Sequence, residues 1–134
     1  MDMSEYTMTV TLEADPAEAE QRVREALQDQ GFGILSEIDV RAALLEKLGE
    51  DIGAYKILGA CNPPLAKRAI AVDPDIGALL PCNVLVRANP EGGTDIAAAD
   101  PAAMLSMGAE GLDDVASDAR AGIEAALEAL VGTR

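Results

Sequence analysis

The two cysteines of this chain are each followed directly by an asparagine, and this repeated pair is the part of the sequence best suited to chemistry. Cys61-Asn62 closes one apolar stretch, and Cys82-Asn83 lies near the start of the next. A thiolate is a nucleophile and a soft metal ligand, while an asparagine amide offers a hydrogen-bond donor and an acceptor. If the two pairs meet in the fold, they predict a small pocket for a thiol-reactive ligand.

The segment after Cys61 predicts that a helix starts beside this thiol. Asn62 is a suitable N-cap residue, and Pro63 fits the first helical position. Backbone N–H groups at a helix start favour a thiolate, and Lys67 or Arg68 can add positive charge. The predicted ligand-binding residues are Cys61, Asn62, Lys67, Cys82 and Asn83.

A soft metal site is a further interpretation of the same segments. Met104 and Met107 can supply thioether ligands to a thiophilic ion such as Cu(I). Methionine more often fills a core, however, and free cysteine commonly packs as a small hydrophobic residue. A purely structural role for both Cys-Asn pairs is therefore the alternative, and we predict neither a metal nor a cofactor.

The chain contains no histidine, which excludes several kinds of catalytic site. These are histidine acid–base catalysis, Ser-His and Cys-His nucleophile pairs, and histidine-ligated zinc, copper or haem. The cysteines form no CxxC motif, and no phosphate-binding or dinucleotide-binding glycine motif occurs. Acidic residues beside prolines, such as Asp73 and Asp100, are typical of turns. We predict no catalytic residue.

The formal net charge is −14, from 24 acidic and 10 basic residues. Nucleic acids and anionic membranes attract clustered Lys and Arg, so we predict neither as a partner. Two tyrosines and one phenylalanine are also too few to stack single-stranded bases. The acidic surface fits a halophilic protein or an ordinary acidic one, and mimicry of DNA charge is a third interpretation.

The length of 134 residues predicts a single domain, residues 1–134, with an aliphatic core. No apolar run approaches the roughly 18 residues of a membrane helix. The first residues carry neither the basic region nor the apolar stretch of a secretory leader. We therefore expect a cytoplasmic protein whose cysteines are reduced thiols.

Hydrophobic periodicity predicts the order of strands and helices. Met8, Val10 and Leu12 alternate with threonines, as in a strand with one buried face. Predicted strands cover residues 6–12, 33–38, 54–61, 79–87 and 94–98. Predicted helices cover residues 16–30, 40–48, 63–72, 101–107 and 112–130. This order predicts an α+β fold, a sheet with one face covered by the long first and last helices.

The connection between the third and fourth predicted strands decides whether the two thiols meet. Residues 62–78 are long enough for a hairpin-like return or for a parallel crossover. Antiparallel neighbours place Cys61 and Cys82 at the same end of the sheet. Parallel strands separate them by roughly 20 Å, at about 3.3 Å per residue.

The segments LGACNPPLAKRAI and DPDIGALLPCNVLVR, with the later Asp100-Pro101 pair, resemble the family known as domain of unknown function 302. The resemblance covers most of the chain, roughly residues 8–130. It implies a β-α-β4-α fold like that of the TATA-binding protein, with a helical insertion, packed as a homodimer. Antiparallel neighbours, and hence adjacent cysteines, are implied too. It implies no activity, because the function of the family is not established.

Two main functional interpretations follow for the Cys-Asn pairs. The first is a cytoplasmic, homodimeric and non-enzymatic module that binds a small ligand or partner near Cys61 and Cys82. The second is a thiol-dependent sulfur-transfer or redox accessory protein in which Cys61 is the nucleophile. A third interpretation is an interaction domain whose cysteines only pack.

Overall fold

The computed structural model describes residues 1–132 as a six-stranded antiparallel sheet with five α-helices and a 3-10 helix. The strands are β1 (Asp2–Met3), β2 (Thr7–Leu12), β3 (Gly33–Asp39), β4 (Tyr55–Cys61), β5 (Cys82–Ala88) and β6 (Thr94–Ala99). The helices are α1 (Pro16–Asp29), α2 (Val40–Leu48), α3 (Pro63–Val72), α4 (Pro101–Leu105) and α5 (Asp113–Gly132), and the 3-10 helix spans Pro74–Leu79. Within the described residues, no helix has both the length and the apolarity to cross a bilayer.

The strands lie in the order β1-β2-β6-β5-β4-β3, and each neighbouring pair is antiparallel. Alternation along β2 places Met8, Val10 and Leu12 on the buried face. Helices α1 and α5 cover that face and complete the main core with side chains such as Leu27 and Leu127. The predicted α+β class, with one sheet face covered by the first and last long helices, is confirmed.

Local sequence signals set the ends of α1. Asp15 accepts a hydrogen bond from the backbone N–H of Glu18 at 2.8 Å, as an N-cap does, and Pro16 is the first helical residue. Gly31 follows the helix with φ of +85°, a left-handed conformation that costs glycine little because it has no Cβ. The turn leads the chain directly into β3.

The predicted strand over residues 79–87 begins only at Cys82, so its first three residues were predicted wrongly. The 3-10 helix Pro74–Leu79 precedes it. An apolar run does not by itself separate a strand from a short helical turn, whereas Pro81 has no N–H to give to a strand ladder. Strand β1 was not predicted either, because Asp2 and Met3 are exposed and show no hydrophobic alternation.

A second, smaller core lies beside the main one. It is built by α3, the 3-10 helix, α4 and the beginning of α5. Its buried residues are Ala69, Ile76, Leu105, Leu112, Val115 and Ala116. Because α3 directly continues β4, this smaller core adjoins the sheet where β4 ends and β5 begins.

Helix α2 differs from the long helices because none of its residues is buried. Around it, the segment from β3 to the loop before β4 exposes five large aliphatic side chains. They are Leu35, Ile38, Leu45, Leu48 and Ile52, each at least 49% exposed. We call these five residues the edge group, because β3 is the last strand of the sheet.

Candidate functional site

The end of β4 and the start of β5 bring the two Cys-Asn pairs to the same end of the sheet. In the antiparallel register, Cys82 lies opposite Ala60, which directly precedes Cys61. Opposite residues in such a ladder have Cα atoms about 5 Å apart, so the two cysteines are near neighbours. Both thiols are free and half-buried. Of the two arrangements open from the sequence, the antiparallel one is present.

A cleft of about 290 Å³ opens beside the two thiols, between the main core and the smaller core. This volume is close to the lower end of the range typical of small-molecule sites, about 300 Å³. The sheet side contributes Phe32, Ala60, Cys61 and Cys82, and the helical side contributes Leu65, Ala66, Ala69, Leu80 and Val115. The main core therefore holds one wall of the cleft in place, and the smaller core holds the other.

No charged side chain among residues 1–132 lines the cleft, although the chain has 24 acidic and 10 basic residues. The polar side chains that line it are the two thiols and the amide of Asn62. Few polar groups would lose contact with water if an apolar molecule entered. The composition of the lining thus favours apolar ligands.

Asn62 caps α3 and still presents a hydrogen-bond donor. Its Oδ1 accepts from the backbone N–H of Leu65 at 3.3 Å, which identifies the two ends of the amide because a nitrogen could not accept there. Its Nδ2 lies beside Gly31, where an added Cβ would come within 3.1 Å. Among residues 1–132, Nδ2 has no hydrogen-bond acceptor and is not enclosed. Asn62 lines the cleft, and its amide carries a donor that no acceptor among residues 1–132 engages.

Burial raises the pKa of the Cys82 thiol to about 11, and the neighbouring Cys61 adds to the increase. The charged form is disfavoured because the cleft offers no cation to compensate a buried thiolate. At neutral pH, Cys82 is consequently a protonated thiol, and such a thiol packs like a small hydrophobic side chain.

Two of the predicted ligand-binding residues lie outside the cleft. Lys67 is exposed on α3 and does not line it. Asn83 follows Cys82 along β5, so its exposed side chain points to the opposite face of the sheet, which carries neither α1 nor α5. Met104 and Met107 do not line the cleft either. Within residues 1–132, no group of three or more His, Cys, Asp or Glu side chains is arranged to hold a metal ion.

Leu35 was not predicted as a site residue, yet it lines the cleft. The register of β3 against β4 shifts between Ile34 and Ser36, so Leu35 is the extra residue of a β-bulge. A bulge redirects one side chain, and here it leaves an aliphatic side chain 73% exposed beside the cleft. Ile70, 47% exposed on α3, is a second large aliphatic residue of the lining that faces solvent. No sequence pattern signalled the bulge.

Phe32 belongs to the cleft lining and depends on a glycine in α5. A Cβ placed on Gly122 would lie 2.8 Å from Cε1 of the Phe32 ring, which is closer than carbon atoms pack. Glycine inside a helix is unfavourable by about 1 kcal/mol relative to alanine, so its presence here has a packing reason. An isolated glycine within the apolar pattern of α5 is the sequence signal that points to this contact.

A buried carboxylate on the other face of the sheet is fully engaged in structure. Asp95 is 5% exposed and accepts hydrogen bonds from Thr11, Asn89 and Arg87 at 2.6, 2.9 and 2.7 Å. Burial by itself raises the pKa of Asp95, but these hydrogen bonds and the Arg87 charge outweigh it and lower the pKa below its ordinary value. The network joins β2, β5 and β6.

The fold and the cleft define a small α+β protein with a preformed apolar pocket at one end of its sheet. The family described as Domain of unknown function DUF302 matches residues 8–130, and the chain belongs to this family. It is similar to the crystal structure of an uncharacterized conserved DUF302 protein from Bacillus stearothermophilus, with a TM-score of 0.86. The two are 29% identical over 95% of this chain and 99% of that chain. Among curated proteins, none matches the sequence.

Proposed function

We propose that this protein is a binding module that takes a small apolar molecule into the cleft. The observation that carries the proposal is an uncharged cleft of about 290 Å³ in a chain of net charge −14. Covering apolar surface with an apolar ligand is favourable by about 25 cal/mol per Å². In this function Cys61 and Cys82 contact the ligand as part of an apolar wall.

The thiol-dependent alternative, sulfur transfer or redox chemistry, has weaker support. Such chemistry uses both thiols, with Cys61 as the nucleophile, and it needs a thiolate at the working pH. Burial raises the pKa of its partner Cys82 to about 11, so Cys82 does not supply a second thiolate at neutral pH. The cations expected nearby are also engaged or displaced, since Arg68 pairs with Asp118 at 2.9 Å and Lys67 does not line the cleft. The free cysteines do favour a reducing compartment, and we infer that the protein works in the cytoplasm.

Filling the cleft tests the binding function. Ala66 lines the cleft and is half-buried on α3, so Ala66→Phe places a ring in the ligand's space. Ala71, exposed on the same helix and outside the cleft lining, provides the matched control Ala71→Phe. We expect naphthalene, followed by protein NMR shifts, to bind saturably to the wild type and to Ala71→Phe.

Binding of naphthalene by Ala66→Phe should be weakened at least tenfold, because its side chain occupies the volume that the ligand needs. Equal binding by both phenylalanine variants, or no saturable binding by the wild type up to the solubility limit, would contradict the proposed function. Melting curves of the two variants check that each remains folded.

We also propose that the protein is a homodimer in which the β3 edges of two copies face each other. In residues 1–132 the outer edge of β3 pairs with no strand, and its seven residues include neither proline nor lysine, two residues that commonly protect such edges. An antiparallel contact of β3 with its own copy satisfies a two-fold axis. A stable interface buries roughly 800 Å² of surface on each partner. The exposed aliphatic side chains of the edge group would supply apolar surface for part of that area.

Charge introduced into the edge group tests this assembly. Leu48, the last residue of α2, is 64% exposed, and Val131, near the end of α5, is 42% exposed. We expect light scattering at tens of micromolar to give a dimer mass for the wild type and for Val131→Lys. Leu48→Lys should shift the mass toward the monomer. A monomeric wild type would contradict the proposed dimer, and a dimeric Leu48→Lys variant would contradict the β3 edge as its location.

A further inference from the structure

We infer that the ligand of the cleft is a neutral carbonyl compound of about ten non-hydrogen atoms, whose oxygen accepts a hydrogen bond from Nδ2 of Asn62. This inference rests on the proposed apolar-ligand function and specifies the chemical class of the ligand. Three properties of the cleft lead to it: its volume, its lack of charge and the type of its polar groups.

The volume limits the size of the ligand. A water-sized group occupies about 30 Å³ in a condensed phase, so a cleft of about 290 Å³ holds roughly ten such groups. Nucleotides are too large for this space, and both nucleotides and sugar phosphates carry charge. The exposed side chains of Leu35 and Ile70 extend the apolar lining outward, so any part of the ligand beyond the cleft meets further apolar surface.

The absence of charge in the lining excludes ionic ligands. A cation would find no carboxylate there, and an anion would find neither lysine nor arginine, among residues 1–132. Moving an unpaired charge into an apolar site carries a large desolvation cost. The formal net charge of −14 also repels anions as they approach. A neutral molecule avoids both penalties.

The polar groups of the cleft favour an acceptor on the ligand. Asn62 Oδ1 is engaged with the backbone N–H of Leu65, whereas Nδ2 has no acceptor among residues 1–132. The thiol groups of the lining are weak donors and weak acceptors. A carbonyl oxygen matches a single strong donor and brings no N–H or O–H group that would need an acceptor in the cleft. Ketones, aldehydes and esters share this property.

Three isosteric probes separate the ligand's properties: acetophenone is a neutral carbonyl compound, cumene has no acceptor, and benzoate is an anion. We expect wild-type protein to bind acetophenone and cumene, and to bind benzoate at least tenfold more weakly than acetophenone at pH 8. Dissociation constants come from NMR titration of the full chain. Benzoate binding as tight as acetophenone binding would overturn the requirement for a neutral ligand.

Two variants of Asn62 test the donor, and only Asn62→Asp also adds a charge. Aspartate has the same shape and is an equally good N-cap, but it has no N–H to donate. We expect Asn62→Asp to weaken acetophenone binding about fivefold or more, because a net hydrogen bond is worth about that factor. Cumene binding should stay within twofold of the wild type. Asn62→Ser keeps a cap without the amide or an added charge, and it should show the same selective loss.

The outcomes separate this inference from the function on which it rests. If both probes bind and neither Asn62 variant selectively weakens acetophenone, the role of Nδ2 is overturned while apolar binding stands. If acetophenone and cumene both fail to bind wild-type protein, the proposed function and this inference fall together. Unchanged melting temperatures of the two variants confirm that neither substitution has disturbed α3.

Discussion

The pKa of the Cys82 thiol lies above that of a free thiol, because the side chain is buried and a second cysteine lies beside it. Burial is the larger cause, and Cys61 adds to it. If both thiols ionised, their two negative charges would repel each other, and the cleft has no cation to offset this repulsion. Two adjacent cysteines therefore do not by themselves make a reactive site, because reactivity depends on a stabilised thiolate.

Alkylation kinetics test the protonation state of Cys82. In the variant Cys61→Ser, Cys82 is the sole thiol, and its raised pKa comes mainly from burial, which the substitution keeps. We expect its rate of reaction with iodoacetamide to rise about tenfold per pH unit from pH 7 to pH 10, because the thiolate fraction grows that steeply below the pKa. A plateau near pH 9 would show an ordinary thiol, and the denatured variant provides that reference profile.

At the level of elements, the sequence predicted most of the fold because its signals were local. Asn62 is an N-cap as predicted, Asp15 and Asp39 are N-caps too, and each of the three accepts from a backbone N–H three residues on. Period-two alternation located β2. Such signals need only a few neighbouring residues, and they place the two Cys-Asn pairs at the ends of β4 and β5.

What the sequence did not predict depends on contacts between distant residues. The bulge at Leu35 exists only in the register of β3 against β4, and the cleft exists only where two cores meet. Predicting that Asn83 points to the opposite face of the sheet also requires knowing the residue at which β5 starts. The sequence itself left open whether the two Cys-Asn pairs meet, and only the family resemblance implied the antiparallel arrangement that is present. Their apolar surroundings came from tertiary packing.

The contact between α5 and Phe32 gives a prediction at this level. Gly122→Ala adds helix propensity worth about 1 kcal/mol, but the new Cβ would overlap a buried ring, and overpacking costs about 1 to 3 kcal/mol. We expect a net loss of about 1 kcal/mol, seen as a midpoint shift in urea unfolding. Gly132→Ala in the same helix, where nothing lies within 4 Å of the added Cβ, should not lower stability. A stabilised Gly122→Ala variant would show that Phe32 moves aside easily.

For the whole molecule, the excess of acidic residues governs the response to salt. The formal net charge of −14 produces repulsion that the folded state concentrates. The Debye length falls from about 30 Å at 0.01 M to about 3 Å at 1 M, so added salt screens this repulsion. We expect the melting temperature to rise between these sodium chloride concentrations.

Comparison with a neutral additive separates this effect from general changes in the solvent. Sucrose at equal osmolality leaves charge repulsion unscreened, so it should raise the melting temperature less than sodium chloride does. A melting temperature that stays constant or falls with sodium chloride would indicate that local ion pairs, such as Lys56 with Glu20 at 2.8 Å, outweigh the long-range repulsion.

The bulge at Leu35 belongs at once to the lining of the cleft and to the outer strand of the sheet. In the proposed dimer, a second copy seated along β3 would contact the same residue as a molecule held in the cleft. Thermodynamic reciprocity then requires that, by whatever factor dimer formation changes ligand affinity, the ligand changes dimer affinity by the same factor. Because Leu35 would contact both the ligand and the second copy, the fraction of clefts occupied would depend on the protein concentration, which sets the fraction of dimer.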